Sequence, residues 1–301
     1  LYRLERVAGM PSSYRAYLGE SMYTISQTSP YRVVRSLLTG EDPATLATIP
    51  CTERPAFTAA VASDLILACN GGPDKQVLLI SVDDGQRAIL FQHSGPLPVM
   101  AFGFRAGRWI YWWAQPWTEG GDFGAWGLVD GHGRPAPEAV RRQFAEVERA
   151  GEVWNDLEGH FFIVVDGMLE EWAGDRFSPV GPVGSQRLEA VGDGRVIVST
   201  VQSLPDDIIS TYTLETLNPL RQVVSWTVHG VQVVGMTYTI SVAPGLVELD
   251  FPLQHKHYAL KDVIGQPQSA NGQVYFRSSR GYERLVITAP GMNAMTDGFW
   301  R

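Results

Sequence analysis

The sequence predicts an all-β fold made of repeated units, and three observations support this prediction. Seven segments begin with Gly or Ser and continue into a short run rich in Val, Ile, Leu and aromatic residues. They begin at Gly19, Ser63, Gly107, Gly159, Gly194, Gly230 and Gly272. Their spacing varies from 35 residues (159 to 194) to 52 residues (107 to 159), a period typical of propeller blades. The 31 Gly and 19 Pro are spread through turn-like clusters and are not concentrated in a linker.

The predicted architecture is therefore a single β-propeller of seven blades, with six blades as the alternative. At about 43 residues a blade, seven blades use the whole chain, so residues 1–301 are predicted to form one domain. Each repeat is expected to begin in a tight turn, where Gly tolerates a positive φ, and to continue into the buried inner strand of a blade. The segments before Gly19 and after Gly272 are expected to complete the last blade together.

The longest gap between repeats contains a helical pattern. Val140, Phe144 and Val147 follow one another at i, i+4 and i+7, Pro137 lies near the start of this pattern, and Gly151 follows it. The sequence therefore predicts one short helix near residues 137–149, inserted between two blades.

Charge and hydropathy limit the classes of partner. The net charge of −8 and the pI near 5.3 argue against binding of nucleic acid, which requires clustered cations. No segment approaches the ~20 consecutive apolar residues that span a bilayer, so no membrane span is predicted. The first residues, LYRLER, do not resemble a signal peptide, and any such peptide is expected to have been removed.

The two cysteines do not decide whether the protein lies in an oxidising or a reducing compartment. Cys51 and Cys69 are 18 positions apart, which excludes a Cys-x-x-Cys motif. They form either a single disulfide, which would favour a secreted or periplasmic protein, or a pair of inert thiols.

Catalytic motifs are missing from the sequence. Neither Gly-x-Ser-x-Gly nor a P-loop occurs, and Ser199 has no base near it in sequence. His255 and His257 share one face of a predicted strand and are weak candidate metal ligands, with Asp250 or Asp262 as a third ligand. A polar outer strand or loop is the alternative interpretation of the same residues. The sequence thus favours a non-enzymatic protein, and no cofactor is predicted.

Aromatic residues are densest between positions 109 and 126. Trp117 and Trp126 flank the Gly-rich segment 118–124, which also contains Phe123. Exposed indoles at such a hairpin are able to stack on sugars or anchor a protein. Trp117, Phe123 and Trp126 are therefore predicted to bind a partner or ligand.

One segment resembles a known class of propeller. Residues 230–241 (GVQVVGMTYTIS) and 272–281 (GQVYFRSSRG) are similar to blades of nozzle or hub proteins in bacteriophage tails. This resemblance implies a structural virion component whose partners are other protein subunits. Two other hypotheses are a secreted or periplasmic propeller that binds a glycan, small ligand or protein, and a metal-dependent propeller hydrolase or lactonase.

Overall fold

The computed structural model describes most of the chain. The described residues are 2–61, 63–117, 124–156, 159–183, 186–192, 194–204, 207–217, 220–229, 231–235, 238–243, 246–270, 273–287 and 297–300. Some of these are described by their backbone alone, namely residues 202–204, 207–208, 217, 220, 228–229, 231–232, 243 and 297–300. Within these ranges the strands form seven antiparallel sheets, which are the blades of a β-propeller. This confirms the predicted fold class and, of the two blade numbers, seven.

The chain divides into two compact units. The first contains residues 10–143 and blades 1 to 3, and the second contains residues 1–9 with 144–301 and blades 4 to 7. Strands are numbered along the chain from β1 (Tyr2–Val7), which belongs to the last blade. No helix among the described residues is both long enough and apolar enough to cross a bilayer.

Blades 1 to 3 follow one another in the first unit. Blade 1 has the order β2 (Arg15–Leu18), β3 (Ser21–Ile25), β4 (Tyr31–Leu37), β5 (Ala44–Ile49). Blade 2 has the order β6 (Ala56–Val61), β7 (Asp64–Cys69), β8 (Asp74–Ser81), β9 (Arg87–Ser94). Blade 3 has the order β10 (Val99–Ala106), β11 (Trp109–Pro116), β12 (Ala125–Val129).

The predicted helix follows blade 3. Helix α1 (Glu138–Phe144) continues into a 3-10 helix (Ala145–Arg149), which confirms the expected insertion between two blades. The apolar positions that predicted it are the ones it buries, since Phe144 and Val147 are fully buried. The Phe144 ring packs against an aromatic group in blade 4, with centroid distances of 5.1 Å to Phe161 and 4.9 Å to Trp172.

Blades 4 to 6 lie in the second unit. Blade 4 contains β13 (Glu152–Asn155), β14 (Phe161–Val165), β15 (Met168–Trp172) and β16 (Phe177–Pro182). Blade 5 contains β17 (Arg187–Gly192), β18 (Arg195–Leu204), β19 (Asp207–Leu217) and β20 (Leu220–His229). Blade 6 contains β21 (Val231–Gly235), β22 (Tyr238–Ala243), β23 (Leu246–Phe251), a 3-10 helix (Pro252–Gln254) and β24 (Lys256–Ala259).

Strands from both ends of the chain complete sheets elsewhere. Blade 7 contains β25 (Val263–Ala270), β26 (Gln273–Ser278) and β27 (Gly281–Ile287), and β1 is its fourth strand, antiparallel to β27. The expectation that the segments before Gly19 and after Gly272 complete the last blade together is therefore confirmed, since β26 and β27 follow Gly272 and β1 precedes Gly19. At the carboxyl-terminal end, β28 (Asp297–Trp300) pairs with β13 and adds a fifth strand to blade 4.

Most of the repeated apolar runs form the second strand of their blades and not the inner strand that was expected. The turns themselves form as predicted, with φ of +54° at Gly19 and +62° at Gly107, whereas Gly230 and Gly272 lie outside the described residues. The runs were expected to be inner strands, but six of the seven form the second described strand of their blades, and the run after Gly230 forms the first, β21. A second strand has hydrogen-bonded neighbours on both edges and packed sheets on both faces, which explains why β7 and β14 are buried at every position.

The core lies between consecutive blades. In the first unit, one cluster joins Tyr23 and Val33 of blade 1 to Leu65 of blade 2, and another joins Ile66 of blade 2 to Trp112 of blade 3. In the second unit, similar clusters join blades 4 and 5, 5 and 6, and 6 and 7. Each buried Leu, Ile or Val contributes about 1.5–3 kcal/mol, so each blade is stabilised mainly by its neighbours.

A disulfide joins Cys51 and Cys69. Cys51 lies just after blade 1, and Cys69 ends the buried strand β7 of blade 2. Of the two alternatives left open by the sequence, the structure has the disulfide.

An ion pair joins β1 to blade 7. Arg284 of β27 is 3% exposed and donates from Nε and Nη2 to Glu5 Oε2 at 2.8 and 2.7 Å. Burial alone raises the pKa of Glu5, but the hydrogen bonds from Arg284 and Arg3 outweigh it and leave this pKa below its usual value. The pair therefore stabilises the fold above the usual Glu pKa, and this contribution is lost as the pH falls through the lowered value.

We expect Glu5→Gln to lower the free energy of unfolding by about 2 kcal/mol at neutral pH, because it leaves the buried Arg284 charge without its counter-ion. Urea denaturation measures this change. Arg3→Gln is the matched control, since Arg3 also bonds Glu5 but its side chain is 63% exposed, and we expect a loss of less than about 1 kcal/mol. Equal losses from the two variants would contradict the assignment.

We expect the double variant Cys51→Ala, Cys69→Ala to lose about 3 kcal/mol, because the disulfide closes a segment of 18 residues. A reducing agent should lower the urea midpoint of the wild-type protein to that of the double variant. The midpoint of the double variant itself should not change on reduction. A wild-type midpoint that does not respond to reduction would count against the disulfide.

Candidate functional site

A cleft of about 300 Å³ lies between blades 5 and 6 of the second unit. One wall is formed by residues 224–227 of β20 and the other by residues 250–252 and 255–257. The 3-10 helix Pro252–Gln254 forms the corner between β23 and β24, and His255 ends it in the left-handed conformation with φ of +50°. This corner brings both predicted histidines to the cleft.

The polar wall contains a hydrogen-bonded group centred on His257. His257 lies opposite Asp250 in the β23–β24 register, and Glu248 is on the same face of β23 two residues earlier. The imidazole donates from Nδ1 to Asp250 Oδ1 at 2.7 Å, and its Nε2 lies 3.3 Å from Glu248 Oε1. The hydrogen bond to Asp250 is the main cause that raises the pKa of His257, with further contributions from the charges of Asp250 and Glu248.

Both ring nitrogens of His257 lie against carboxylates, whereas a metal-bound imidazole presents a nitrogen lone pair to the ion. Of the two candidate third ligands, Asp250 lies beside His257, whereas Asp262 is largely exposed and lies 3.9 Å from Arg280. The part of the chain that the structure describes contains no group of three or more His, Cys, Asp or Glu arranged to hold a metal ion. A metal site at His255 and His257 remains a prediction without geometric support.

The opposite wall is aromatic and hydroxylated. The half-buried indole of Trp226 stacks on the buried ring of Tyr212, with a centroid distance of 5.8 Å and an interplanar angle of 27°. Its Nε1 is buried and has no hydrogen-bond partner among the described residues. Ser225 and Thr227 lie on either side of it, and their hydroxyls are within 3.0 and 3.2 Å of those of Thr213 and Thr211.

The two walls of this cleft differ in chemistry. The indole of Trp226 lines one wall with Ser225 and Thr227, and the imidazole of His257 and the carboxylate of Asp250 line the other. Both nitrogens of His257 face a carboxylate, and this raises the pKa of the imidazole above its usual value. Trp226 and Tyr212 were not predicted as site residues, because they lie on strands of ordinary alternating pattern and nothing local marks them.

The predicted aromatic site has a different outcome at each residue. Trp117 follows β11 and is 56% exposed. Its backbone N–H donates to the carbonyl of Pro98 at 2.7 Å. Trp126 is half-buried in β12, 6.3 Å from the ring of Tyr111. Phe123 lies outside the described residues. Partner binding by these three residues remains a prediction.

A second polar group in blades 4 and 5 was also missed. The Ser199 hydroxyl donates to Glu189 Oε1 at 2.6 Å, and Arg187 lies 3.4 Å from the same oxygen. Burial raises the pKa of Glu152, which accepts a hydrogen bond from the Trp154 indole at 2.9 Å. The partner of Ser199 is thus a carboxylate on the neighbouring strand and not a histidine, so the group lacks the base that nucleophilic catalysis by serine uses.

Comparison with known proteins supports the fold. No protein-family model matches the chain, and no curated protein matches it. A solved structure of an uncharacterized protein, lmo1340 from Listeria monocytogenes EGD-e, matches with a TM-score of 0.51 and 10% identity over 96% of this chain and 95% of that one. The β-propeller domain of the Trilobed protease from Pyrococcus furiosus matches with a TM-score of 0.43 and 7% identity, over 90% of this chain and 92% of that one. YCF48 bound to a D1 peptide also has a TM-score of 0.43, with 10% identity over 96% and 97% of the two chains.

We expect Asp250→Asn to lower the pKa of His257 towards that of a free imidazole, because it removes both the strongest hydrogen bond and a neighbouring charge. An NMR titration of the imidazole resonances measures this change. Glu248→Gln should have a smaller effect in the same direction, since Glu248 is further from the ring. An unchanged His257 pKa in Asp250→Asn would contradict the hydrogen bond to Asp250.

Proposed function

We propose that this chain is a non-catalytic, extracytoplasmic β-propeller that binds a small hydroxylated ligand of the glycan class in the cleft between blades 5 and 6. The observation that carries the proposal is the pairing of an aromatic wall at Trp226 with a wall of oriented charged groups at Asp250 and His257. Ligand sites commonly combine such an apolar surface with a few fixed polar groups.

The glycan class follows from the composition of the two walls. A sugar ring has apolar C–H faces that suit the indole, and a rim of hydroxyls that both donate and accept hydrogen bonds. Asp250 and the hydroxyl oxygen of Ser225 accept hydrogen bonds, and the ammonium group of Lys256 donates them. The walls carry charges of both signs, so they give no strong preference for an ion of one sign.

The disulfide supports the extracytoplasmic location. Disulfides persist in oxidising compartments and are rare in the cytosol. Cys51 and Cys69 form one here, although neither belongs to a redox motif.

The test is a titration of the purified protein with a panel of neutral and acidic oligosaccharides, followed by calorimetry and tryptophan fluorescence. We expect Trp226→Ala to weaken binding about tenfold, because removal of a stacking ring costs about 1.4 kcal/mol. Trp226→Phe should retain most of the affinity, because it keeps the ring.

The matched control is Trp117→Ala, which removes an equally large indole outside the cleft. The proposal requires that this variant bind like the wild-type protein. It is wrong if no oligosaccharide in the panel binds, or if the Trp226→Ala and Trp117→Ala variants lose affinity equally.

The second candidate is a protein-binding propeller, and the exposed Trp117 is the observation that favours it. The phage-tail hypothesis is one form of this candidate, with other subunits as partners. Light scattering separates the two candidates. A structural subunit forms a stable assembly, which Trp117→Ala should weaken. A glycan-binding module remains a monomer of about 33 kDa.

A further inference from the structure

Blade 5 contains a hairpin that extends beyond the first strand of its sheet. β17 has six residues, whereas β18 has ten and β19 has eleven. The pairing of β17 with β18 ends at Arg187 and Ser199, but the pairing of β18 with β19 continues to Leu204 and Asp207. Residues 200–204 of β18 therefore pair with β19 on one edge, and no described strand pairs with their other edge, which we call the open edge.

The open edge presents backbone groups that an added strand can bind. Successive residues of a strand direct their N–H and C=O groups to opposite edges. Alternate residues, either Thr200, Gln202 and Leu204 or Val201 and Ser203, therefore direct both groups away from β19. A second chain in the extended conformation supplies donors and acceptors at the same spacing, so the open edge suits a β-strand.

The open edge lacks the features that protect exposed strand edges. Natural proteins cover such edges or place Pro or charged side chains on them. Residues 200–204 read TVQSL and contain neither. Val201 is 52% exposed and pairs with Ser210 of β19. An apolar side chain therefore lies exposed beside the unpaired backbone.

The outer strands of the other blades do have such features. Arg87 donates to the Thr48 carbonyl of β5 at 2.5 Å, and Ala136 donates to the Leu128 carbonyl of β12 at 2.8 Å. Charged side chains or Pro occur in further outer strands, namely Arg3 in β1, Arg87 in β9, Pro179 in β16, Arg221 in β20 and Lys256 in β24. The open edge differs from all of these strands.

Charge indicates which kind of segment fits the open edge. Between positions 200 and 211 the only charged residues are Asp206 and Asp207, which follow the open edge within three positions. These two acids attract a segment that has Lys or Arg at its end. A second copy of the chain has a net charge of −8 and is repelled.

We propose that the open edge of blade 5 is a docking site for an extended, basic segment of a partner protein. The segment adds to the sheet as a strand beside residues 200–204, with an apolar side chain against Val201 and a cation near Asp207. No part of the described chain needs to move to admit it. This inference concerns a protein partner and does not rest on glycan binding in the cleft.

The experiment is a fluorescence-polarisation titration of the full chain with a labelled peptide in which Thr and Val alternate between two terminal Lys residues. We expect this peptide to bind. A second peptide, with two consecutive central residues replaced by Pro, should bind at least tenfold more weakly, because it lacks donors on both of its edges there. A third peptide, with Glu in place of both Lys, should also bind at least tenfold more weakly at low salt.

Val201→Lys places a like charge beside the basic peptide and should weaken its binding at least tenfold. Val201→Thr retains the β-branched shape and should bind like the wild-type protein. Val223→Lys is the matched control, because Val223 lies on β20 of the same blade, is 47% exposed and acquires the same charge. We expect this variant to change the affinity less than twofold.

The proposal is overturned if the basic peptide does not bind, if the Pro or Glu peptide binds equally well, or if Val201→Lys and Val223→Lys lose affinity equally. The comparison of peptides keeps the test decisive if a variant does not fold. A wild-type dimer in light scattering that Val201→Lys abolishes would assign the open edge to a second copy of the chain, and would also overturn the proposal.

Discussion

Burial of apolar side chains between consecutive sheets is the constraint on which the structure depends. A strand such as β14 presents apolar residues to both faces, and neither face is covered by its own sheet. Each blade therefore needs a neighbour before and after it, and clusters such as that of Trp154 and Val198 join one blade to the next. Polar groups such as Glu189 and Asp250 have specific partners there, Ser199 and His257.

The fold was readable because its strongest signals are local and repeat. A Gly turn followed by a continuous apolar run predicts a strand covered on both faces, and Val140, Phe144 and Val147 predict a helix with one buried face. The position of six of the seven runs within their sheets was wrong by one strand, because strand order follows from hydrogen-bond pairing that no local pattern specifies. The pairing of β28 with β13 joins segments that are more than 140 residues apart, and no local signal announces it.

The candidate cleft was less predictable than the fold, since its residues come from two blades. The sequence marked His255 and His257 as candidate metal ligands with Asp250 or Asp262, but it does not show that Glu248 also lies beside His257. Trp226 depends on Tyr212 for its orientation, and this contact crosses between two strands.

The completion of blade 7 by β1 has a consequence for biosynthesis. Glu5 and Arg284 are separated by 279 positions, so β1 emerges from the ribosome or a translocation channel long before its partner strand exists. Until then β1 exposes an unpaired edge, of the kind that promotes aggregation. Blade 2 and its disulfide, by contrast, involve segments close in sequence. Because the chain is made from its amino terminus, β1 pairs only at a late stage of synthesis. A chaperone that shields the unpaired strand until then would need to bind only residues 2–7.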